Sequence, residues 1–196
     1  MRDRIRKVCV YCASSSQAAD GFYDDARRLG WLLAERGVTI VYGGGAVGSM
    51  GALAEGALNA DGRVIGVIPR FMLDLEWGHD GLTELRVVED MHERKRQMID
   101  GVDAAIALPG GCGTLEELLE AITWKRLGLY WKPIVLVNTR RFFDPLVTLL
   151  EAAVRERMMD ERHGAMWTLV DSADDVLAAI ESAPAWSSEA RSFATL

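Results

Sequence analysis

Residues 108–117 (LPGGCGTLEE) have the composition of a site for a phosphorylated sugar. An apolar run precedes this segment and a helical pattern follows it, so it should form the turn between a strand and a helix. Glycines there let the backbone approach a ligand closely, and the amides at a helix start attract phosphate. Thr114 and Glu117 also have the spacing of a capping box. The local pattern therefore leaves two interpretations open, a ligand-binding turn and a structural helix cap.

Another glycine-rich segment, residues 42–51 (YGGGAVGSMG), comes earlier in the chain and also lies between a predicted strand and a predicted helix. Its glycines match the pattern G-x-G-x-x-G, but a dinucleotide site also needs an acidic residue about 20 positions later. The next predicted strand is instead followed by Arg70. We therefore favour a phosphate or sugar loop over an NAD site, with a tight structural turn as the alternative. The candidate contacts are Gly43, Gly44 and Gly45, which form the first glycine turn of the chain; residues 108–117 form the second.

Between the two turns, residues 91–98 (MHERKRQM) carry three consecutive cations on a predicted helix. Such a helix is usually a solvated surface, but this one precedes the most apolar strand and must be partly covered. Arg94 or Lys95 could therefore meet a phosphate, and an arginine could do so with two hydrogen bonds.

Strands of apolar residues alternate with segments of helical period along most of the chain, which predicts an α/β fold. The fold class is Rossmann-like, with a mostly parallel sheet and helices on both faces. In such folds ligands bind at the carboxyl ends of the strands. We expect one domain over residues 1–182, a flexible tail at 183–196 and a long loop at 71–83. The predicted strands are 7–13, 38–42, 63–68, 85–88, 103–108, 133–137 and 166–170, and the predicted helices are 23–36, 50–60, 90–101, 114–127, 144–158 and 173–182.

Composition excludes several classes of protein. The 196 residues are 49% hydrophobic and 26% charged, which is ordinary for a globular chain. With 22 basic and 29 acidic residues the net charge is −7, so we expect no nucleic-acid polymer as partner. No apolar run is long enough for a membrane span, and residues 8–13 are too short for a signal peptide, so we expect a cytoplasmic protein. The odd number of cysteines favours reduced thiols.

The two motifs together resemble the Lonely Guy (LOG) family of cytokinin riboside 5′-monophosphate phosphoribohydrolases. Residues 109–117 match P-G-G-x-G-T-x-x-E and residues 91–95 match M-H-x-R-K. Many members carry the older label "lysine decarboxylase-like". The resemblance implies a Rossmann-like fold and a homodimer. It also implies hydrolysis of the N-glycosidic bond of N6-substituted adenosine 5′-monophosphates, giving free base and ribose 5-phosphate.

Carried over by motif position, Arg94 and Glu117 would be the catalytic pair of this metal-free, cofactor-free reaction. Cys112 fills a variable position and would contribute a backbone contact. Glu76 and Thr123 match the family pattern less closely than the other positions. The implied substrate contacts are Glu76, Lys95, Gly111, Cys112, Gly113, Thr114, Leu115, Glu116 and Thr123.

Other interpretations remain open from the sequence. A non-catalytic nucleotide or cofactor binder, like the molybdenum-cofactor carrier proteins, would share the glycine turns. A decarboxylase would need pyridoxal phosphate on a lysine, and none of the four lysines lies in a recognisable pattern. Cys9 and Cys12 lie on one strand and should face opposite sides, which disfavours a metal or redox pair. The apolar residues around Trp124 and Trp131 could be core or a dimer surface.

Overall fold

The computed structural model describes residues 4–75 and 77–194, and its centre is a parallel sheet of seven strands. The strand order is β4-β3-β2-β1-β5-β6-β7, and every pairing is parallel. This confirms the predicted Rossmann-like α/β class. The strands are β1 (Lys7–Tyr11), β2 (Thr39–Tyr42), β3 (Val64–Pro69), β4 (Glu84–Val88), β5 (Ala104–Ala107), β6 (Ile134–Val137) and β7 (Thr168–Val170).

The order of the strands reverses between β1 and β5, which are neighbours in the sheet although three strands separate them in sequence. At such a switch point the connections leave in opposite directions and open a crevice at the carboxyl ends of the strands. The segment after β1 and the 108–117 turn after β5 meet at this crevice. The chain topology therefore places the second glycine turn where a ligand is expected.

Helices cover both faces of the sheet. Gly37 and Gly128 end the first and fifth helices in the left-handed conformation, with φ of 66° and 64°, as their positions in the sequence predict. The α-helices are α1 (Asp20–Glu35), α2 (Gly48–Leu58), α3 (Arg70–Leu73), α4 (Met91–Ile99), α5 (Cys112–Arg126), α6 (Asp144–Arg155) and α7 (Val176–Ser182).

Two hydrophobic clusters, one on each side of the sheet, form the core. Cys9 belongs to the cluster under α4 and α5, whereas Cys12 belongs to the cluster under α1 and α2. The two thiols are therefore on opposite faces, as strand alternation predicts. In the described part of the chain, no group of three or more histidine, cysteine or acidic residues could hold a metal ion. Among the same residues no helix is long and apolar enough to cross a bilayer.

Helix α3 is the main departure from the predicted elements. It occupies the start of the segment expected to be a loop, directly after β3. Its four residues are too few to show a helical period in the sequence. The remainder of the segment returns to the first glycine turn, where Gly45 and Gly78 form an isolated antiparallel bridge.

The last described residues pack on the end of α5. The Trp186 indole donates to the carbonyl of Lys125 at 2.8 Å, and Arg191 Nε donates to the carbonyl of Leu127 at 3.1 Å. A short 3₁₀ helix, Ser188–Phe193, lies within this segment. The predicted single domain over 1–182 and the predicted mobility of 183–196 stay predictions, but these contacts give residues 183–194 a defined position.

Candidate active site

A cavity of about 580 Å³ opens at the carboxyl ends of β1, β2, β3 and β5. The segment after β1 (residues 12–15) and the first glycine turn after β2 form one side. The 111–114 turn and Glu117 form another, and Arg94 reaches in from α4. Both glycine-rich segments identified in the sequence thus line one cavity.

Helix α5 begins at Cys112, two residues earlier than predicted, with Gly111 as its N-cap. The first amide with an acceptor is that of Leu115, which donates to the carbonyl of Gly111 at 3.0 Å. Among the described residues, the amides of Cys112, Gly113 and Thr114 have no acceptor, as expected for a helix start. The positive end of the helix therefore faces the cavity without a partner from the protein.

The capping-box interpretation of Thr114 and Glu117 is wrong. Gly111 is the cap and makes no side-chain hydrogen bond, so Thr114 lies inside the helix. Thr114 is 4% exposed and lines the cavity, and no described residue hydrogen-bonds its hydroxyl. The hydroxyl is thus available to a ligand beside the helix amides.

Glu117 lies on the cavity wall and is 5% exposed. Burial raises the pKa of its carboxyl from 4.5 to about 7, while the positive charge of Arg94 opposes that rise and the negative charge of Glu116 adds to it. A carboxyl group with this pKa exchanges protons easily at neutral pH. With the capping role excluded, a chemical role for this buried acid becomes the better interpretation.

Arg94 is fixed by the backbone of two strand ends. Its Nε donates to the carbonyl of Val67 at 3.1 Å, and its Nη2 donates to the carbonyl of Gly43 at 3.0 Å. The third nitrogen, Nη1, lies 3.9 Å from Glu117 Oε1. One guanidinium group therefore hydrogen-bonds the first glycine turn and forms an ion pair with the buried acid. A Cβ on Gly43 would lie 2.2 Å from Nη2, so only glycine leaves room for this arginine.

The far wall of the cavity is apolar. The residues that line it lie near the end of β3 or on the segments that follow β2, β3 and β4. They are Met50, Ile68, Met72, Trp77 and Met91. The Trp77 side chain is half-exposed at this wall. The cavity thus has a polar end at α5 and an apolar end suited to an aromatic or hydrocarbon group.

Comparison with known proteins identifies the family of this chain. The family described as "possible lysine decarboxylase" matches residues 50–180. The cytokinin riboside 5′-monophosphate phosphoribohydrolase LOG of Oryza sativa subsp. japonica is 45% identical over 160 residues, covering 82% of this chain and 66% of that protein. An Arabidopsis thaliana enzyme of the same name, LOG7, is 43% identical over 155 residues, covering 79% of this chain and 71% of that protein. The chain belongs to the Lonely Guy (LOG) family.

A solved structure shares the fold of this chain. The molybdenum cofactor binding protein of Rippkaea orientalis superposes with a TM-score of 0.69 over 91% of this chain and 97% of that chain. The two sequences are 24% identical, so the likeness concerns the fold alone.

Several residues implied by the LOG resemblance lie outside the cavity lining. Lys95 Nζ donates to Glu116 at 2.6 Å and to Glu120 at 3.2 Å, which joins α4 to α5. Burial lowers the pKa of Lys95, but these two hydrogen bonds outweigh it and the pKa is raised overall. Thr123 is exposed and its hydroxyl donates to the carbonyl of Leu119.

Leu115 is half-buried and also absent from the lining of this single chain. Glu76 lies outside the described residues. Substrate contacts by Lys95, Leu115, Glu116, Thr123 and Glu76 therefore stay predictions. Within the described lining, the cavity does bring together Gly111, Cys112, Gly113, Thr114, Arg94 and Glu117 with Gly43 and Gly45.

The decarboxylase label of this LOG-family chain does not fit the cavity. Pyridoxal phosphate would need a lysine there for its Schiff base. No lysine lies among the residues of the described chain that line the cavity. Lys125, the most buried of the four, donates from Nζ to the carbonyl of Lys132 at 2.9 Å and is held away from the site.

The sequence did not identify the apolar wall or the segment after β1 as parts of the site. Methionine and tryptophan have no chemical signature that separates a ligand contact from core. The one available signal was their position, because residues just after strands in a parallel sheet lie at its binding edge.

Proposed function

We propose that this protein is a phosphoribohydrolase that cleaves the N-glycosidic bond of N6-substituted adenosine 5′-monophosphates. The products are the free base, a cytokinin or adenine, and ribose 5-phosphate. The observation that carries the proposal is the buried Glu117 beside Arg94, placed one helical turn behind the unpartnered amides of α5. A buried acid next to a fixed arginine suits bond cleavage better than simple binding.

The α5 amides and the Thr114 hydroxyl would hold the 5′-phosphate, since a helix start binds phosphate without a metal. The ribose would then lie against Glu117, and the base would extend towards the apolar wall. Three strand spacings of roughly 4.8 Å separate the ends of β5 and β3. This distance suits a nucleotide with its phosphate at one end and an apolar N6 substituent at the other.

In the reaction, the bond from C1′ to the base breaks and a water oxygen bonds to C1′. The proton that water loses balances the proton that the departing base takes up. Positive charge develops at the sugar, and an ionised Glu117 can stabilise it while orienting the water. Arg94 keeps Glu117 partly ionised and fixes its position.

We also infer that the chain forms a homodimer and acts in the cytoplasm, in cytokinin formation. The dimer is supported by apolar side chains exposed on and after α5, which are Leu119, Leu127, Leu129 and Trp131. Size-exclusion chromatography with light scattering gives the mass of the particle; a monomer at micromolar concentration would contradict the dimer.

Substituting Gly113 by alanine tests the phosphate cradle. A Cβ at Gly113 would meet nothing within 4 Å, so Gly113→Ala should fold with an unchanged Tm. The methyl group would occupy space that only a ligand needs, and we expect nucleotide affinity to fall at least roughly tenfold. Calorimetric titration with AMP measures this change, with Glu117→Gln introduced into every protein compared so that AMP is not cleaved. Gly164→Ala, which is equally open but lies outside the cavity lining, is the matched control. Equal affinities of Gly113→Ala and wild type would contradict phosphate binding at this turn.

Chromatographic product analysis tests the reaction itself. The protein is incubated with AMP or N6-isopentenyladenosine monophosphate, with and without a chelator. Release of base and ribose 5-phosphate that the chelator does not change is expected. Nucleotide binding without any release of base would instead favour a non-catalytic binder.

A further inference from the structure

Tyr42 is the last residue of β2 and lies directly before the first glycine turn, outside the machinery described so far. Its ring is fully buried, and its hydroxyl donates a 3.0 Å hydrogen bond to the carbonyl of Gly45. Burial, together with the nearby Cys12 thiol, raises the pKa of this hydroxyl, so it remains a donor throughout the neutral range. The contact is internal to the protein.

Each of the three glycine carbonyls of this turn accepts a hydrogen bond from within the protein. Those of Gly43, Gly44 and Gly45 accept, respectively, from Arg94 Nη2, the His79 amide and the Tyr42 hydroxyl, each at 3.0 Å. The turn also lines the cavity through its first and third glycines. Because its carbonyls are engaged inside the protein, it can offer amide groups to a ligand. In the described part of the chain, the Gly45 amide donates to no acceptor.

The position of the turn identifies the ligand group that would meet it. Arg94 contacts Gly43 and lies 3.9 Å from Glu117, so the turn borders the acid proposed to act at C1′. The ring oxygen is bonded to that carbon, but it shares the positive charge of the oxocarbenium-like state and becomes a poor hydrogen-bond acceptor. The next nearest acceptor is the hydroxyl oxygen on the neighbouring ribose carbon. Hydrogen bonds to this hydroxyl strengthen as a sugar becomes oxocarbenium-like.

We propose that the first glycine turn binds the ribose 2′-hydroxyl of the substrate, and that Tyr42 is the positioning residue that fixes the turn for this contact. The inference rests on the proposed phosphoribohydrolase function. It makes the site selective for ribonucleotides over 2′-deoxyribonucleotides. The selectivity arises from backbone amides, with a buried tyrosine that never touches the substrate.

The test compares Tyr42→Phe with Tyr130→Phe on N6-isopentenyladenosine monophosphate and its 2′-deoxy analogue. Tyr130 is a matched control, because it is also buried and its hydroxyl donates to a backbone carbonyl, that of Pro133. Pro133 directly precedes β6, so this contact lies at the amino-terminal ends of the strands, away from the cavity. Tyr42→Phe should lower kcat/KM for the ribonucleotide roughly fivefold and change that for the deoxynucleotide less than about twofold. Tyr130→Phe should change neither. Thermal unfolding of both variants separates a loss of fold from a loss of contact.

If Tyr42→Phe lowers kcat/KM equally for both nucleotides, Tyr42 has only a structural role and the proposal is overturned. An unchanged kcat/KM for both nucleotides would also overturn it. The wild-type enzyme gives a second measurement that does not depend on a variant. It should prefer the ribonucleotide at least about tenfold, since the lost contact strengthens in the transition state, and equal rates would overturn the 2′-hydroxyl subsite while leaving the hydrolase intact. A wild-type enzyme that cleaves neither nucleotide would overturn the proposed function and this subsite with it.

Discussion

Substituting Glu117 by glutamine is expected to reduce hydrolysis about 10³-fold while nucleotide binding is retained. Glutamine keeps the shape of the side chain but cannot carry the negative charge that opposes the charge on the sugar. The phosphate contacts proposed for the α5 amides do not involve the carboxyl. Release of base from a saturating nucleotide measures the rate, and calorimetric titration measures binding. Glu120→Gln, the same change one turn later and outside the cavity lining, should lower the rate far less, because it only weakens the pairing with Lys95.

The same variant has a predicted effect on stability. The pKa of Glu117 is raised from 4.5 to about 7 in the folded chain, chiefly by burial. Between these two values the folded state holds a proton that the unfolded state has lost. The free energy of unfolding therefore falls as the pH rises from 4.5 to 7, by about 3 kcal/mol, and stays lower above pH 7.

Glutamine removes this loss, since it does not ionise. Glu117→Gln should therefore have a higher Tm than wild type at pH 8 and a similar Tm near pH 4. Thermal unfolding across this range decides the matter. A variant that is less stable than wild type at pH 8 would mean that the ionised carboxylate stabilises the fold, and its role would then be structural.

The sequence identified the polar half of the site because its residues follow strands. The two glycine turns and the basic helix each come directly after an apolar run, so a parallel sheet brings them to one edge. The start of α5 was misplaced because Cys112 and Gly113 are poor helix formers, which hid the first two helical residues. Because the helix begins two residues earlier than predicted, Thr114 lies inside it and lines the cavity, and does not cap the helix.

The partners of the charged residues on α4 could not be predicted from the sequence in the same way. Arg94 and Lys95 are adjacent in sequence, yet consecutive residues on a helix point in different directions. One reaches the cavity and the other pairs with Glu116 on the outside of α5. Their separation depends on how α4 lies against α5 and β3. That packing is decided by the whole sheet, which no local pattern contains.

Substituting Arg94 by glutamine is expected to lower kcat/KM by about 10²–10³-fold. The variant loses the positive charge beside Glu117. It also loses the pair of hydrogen bonds from one side chain to the carbonyls of Val67 and Gly43. Arg96→Gln is the control, because Arg96 is exposed on the same helix and does not line the cavity. It should keep wild-type activity.

The pH profile distinguishes a tuning role of Arg94 from simple loss of packing. Arg94 lowers the pKa of Glu117 against the larger effect of burial. Without it the pKa must rise above 7, so the limb of the pH–rate profile that Glu117 controls should move to higher pH. An unmoved limb with the same loss of rate would assign Arg94 a purely structural role. Glutamine can still hydrogen-bond one of the two carbonyls. A shift of the limb in a folded variant would therefore report the loss of the positive charge. It would show that the charge of Arg94 lowers the pKa of Glu117 in the active enzyme.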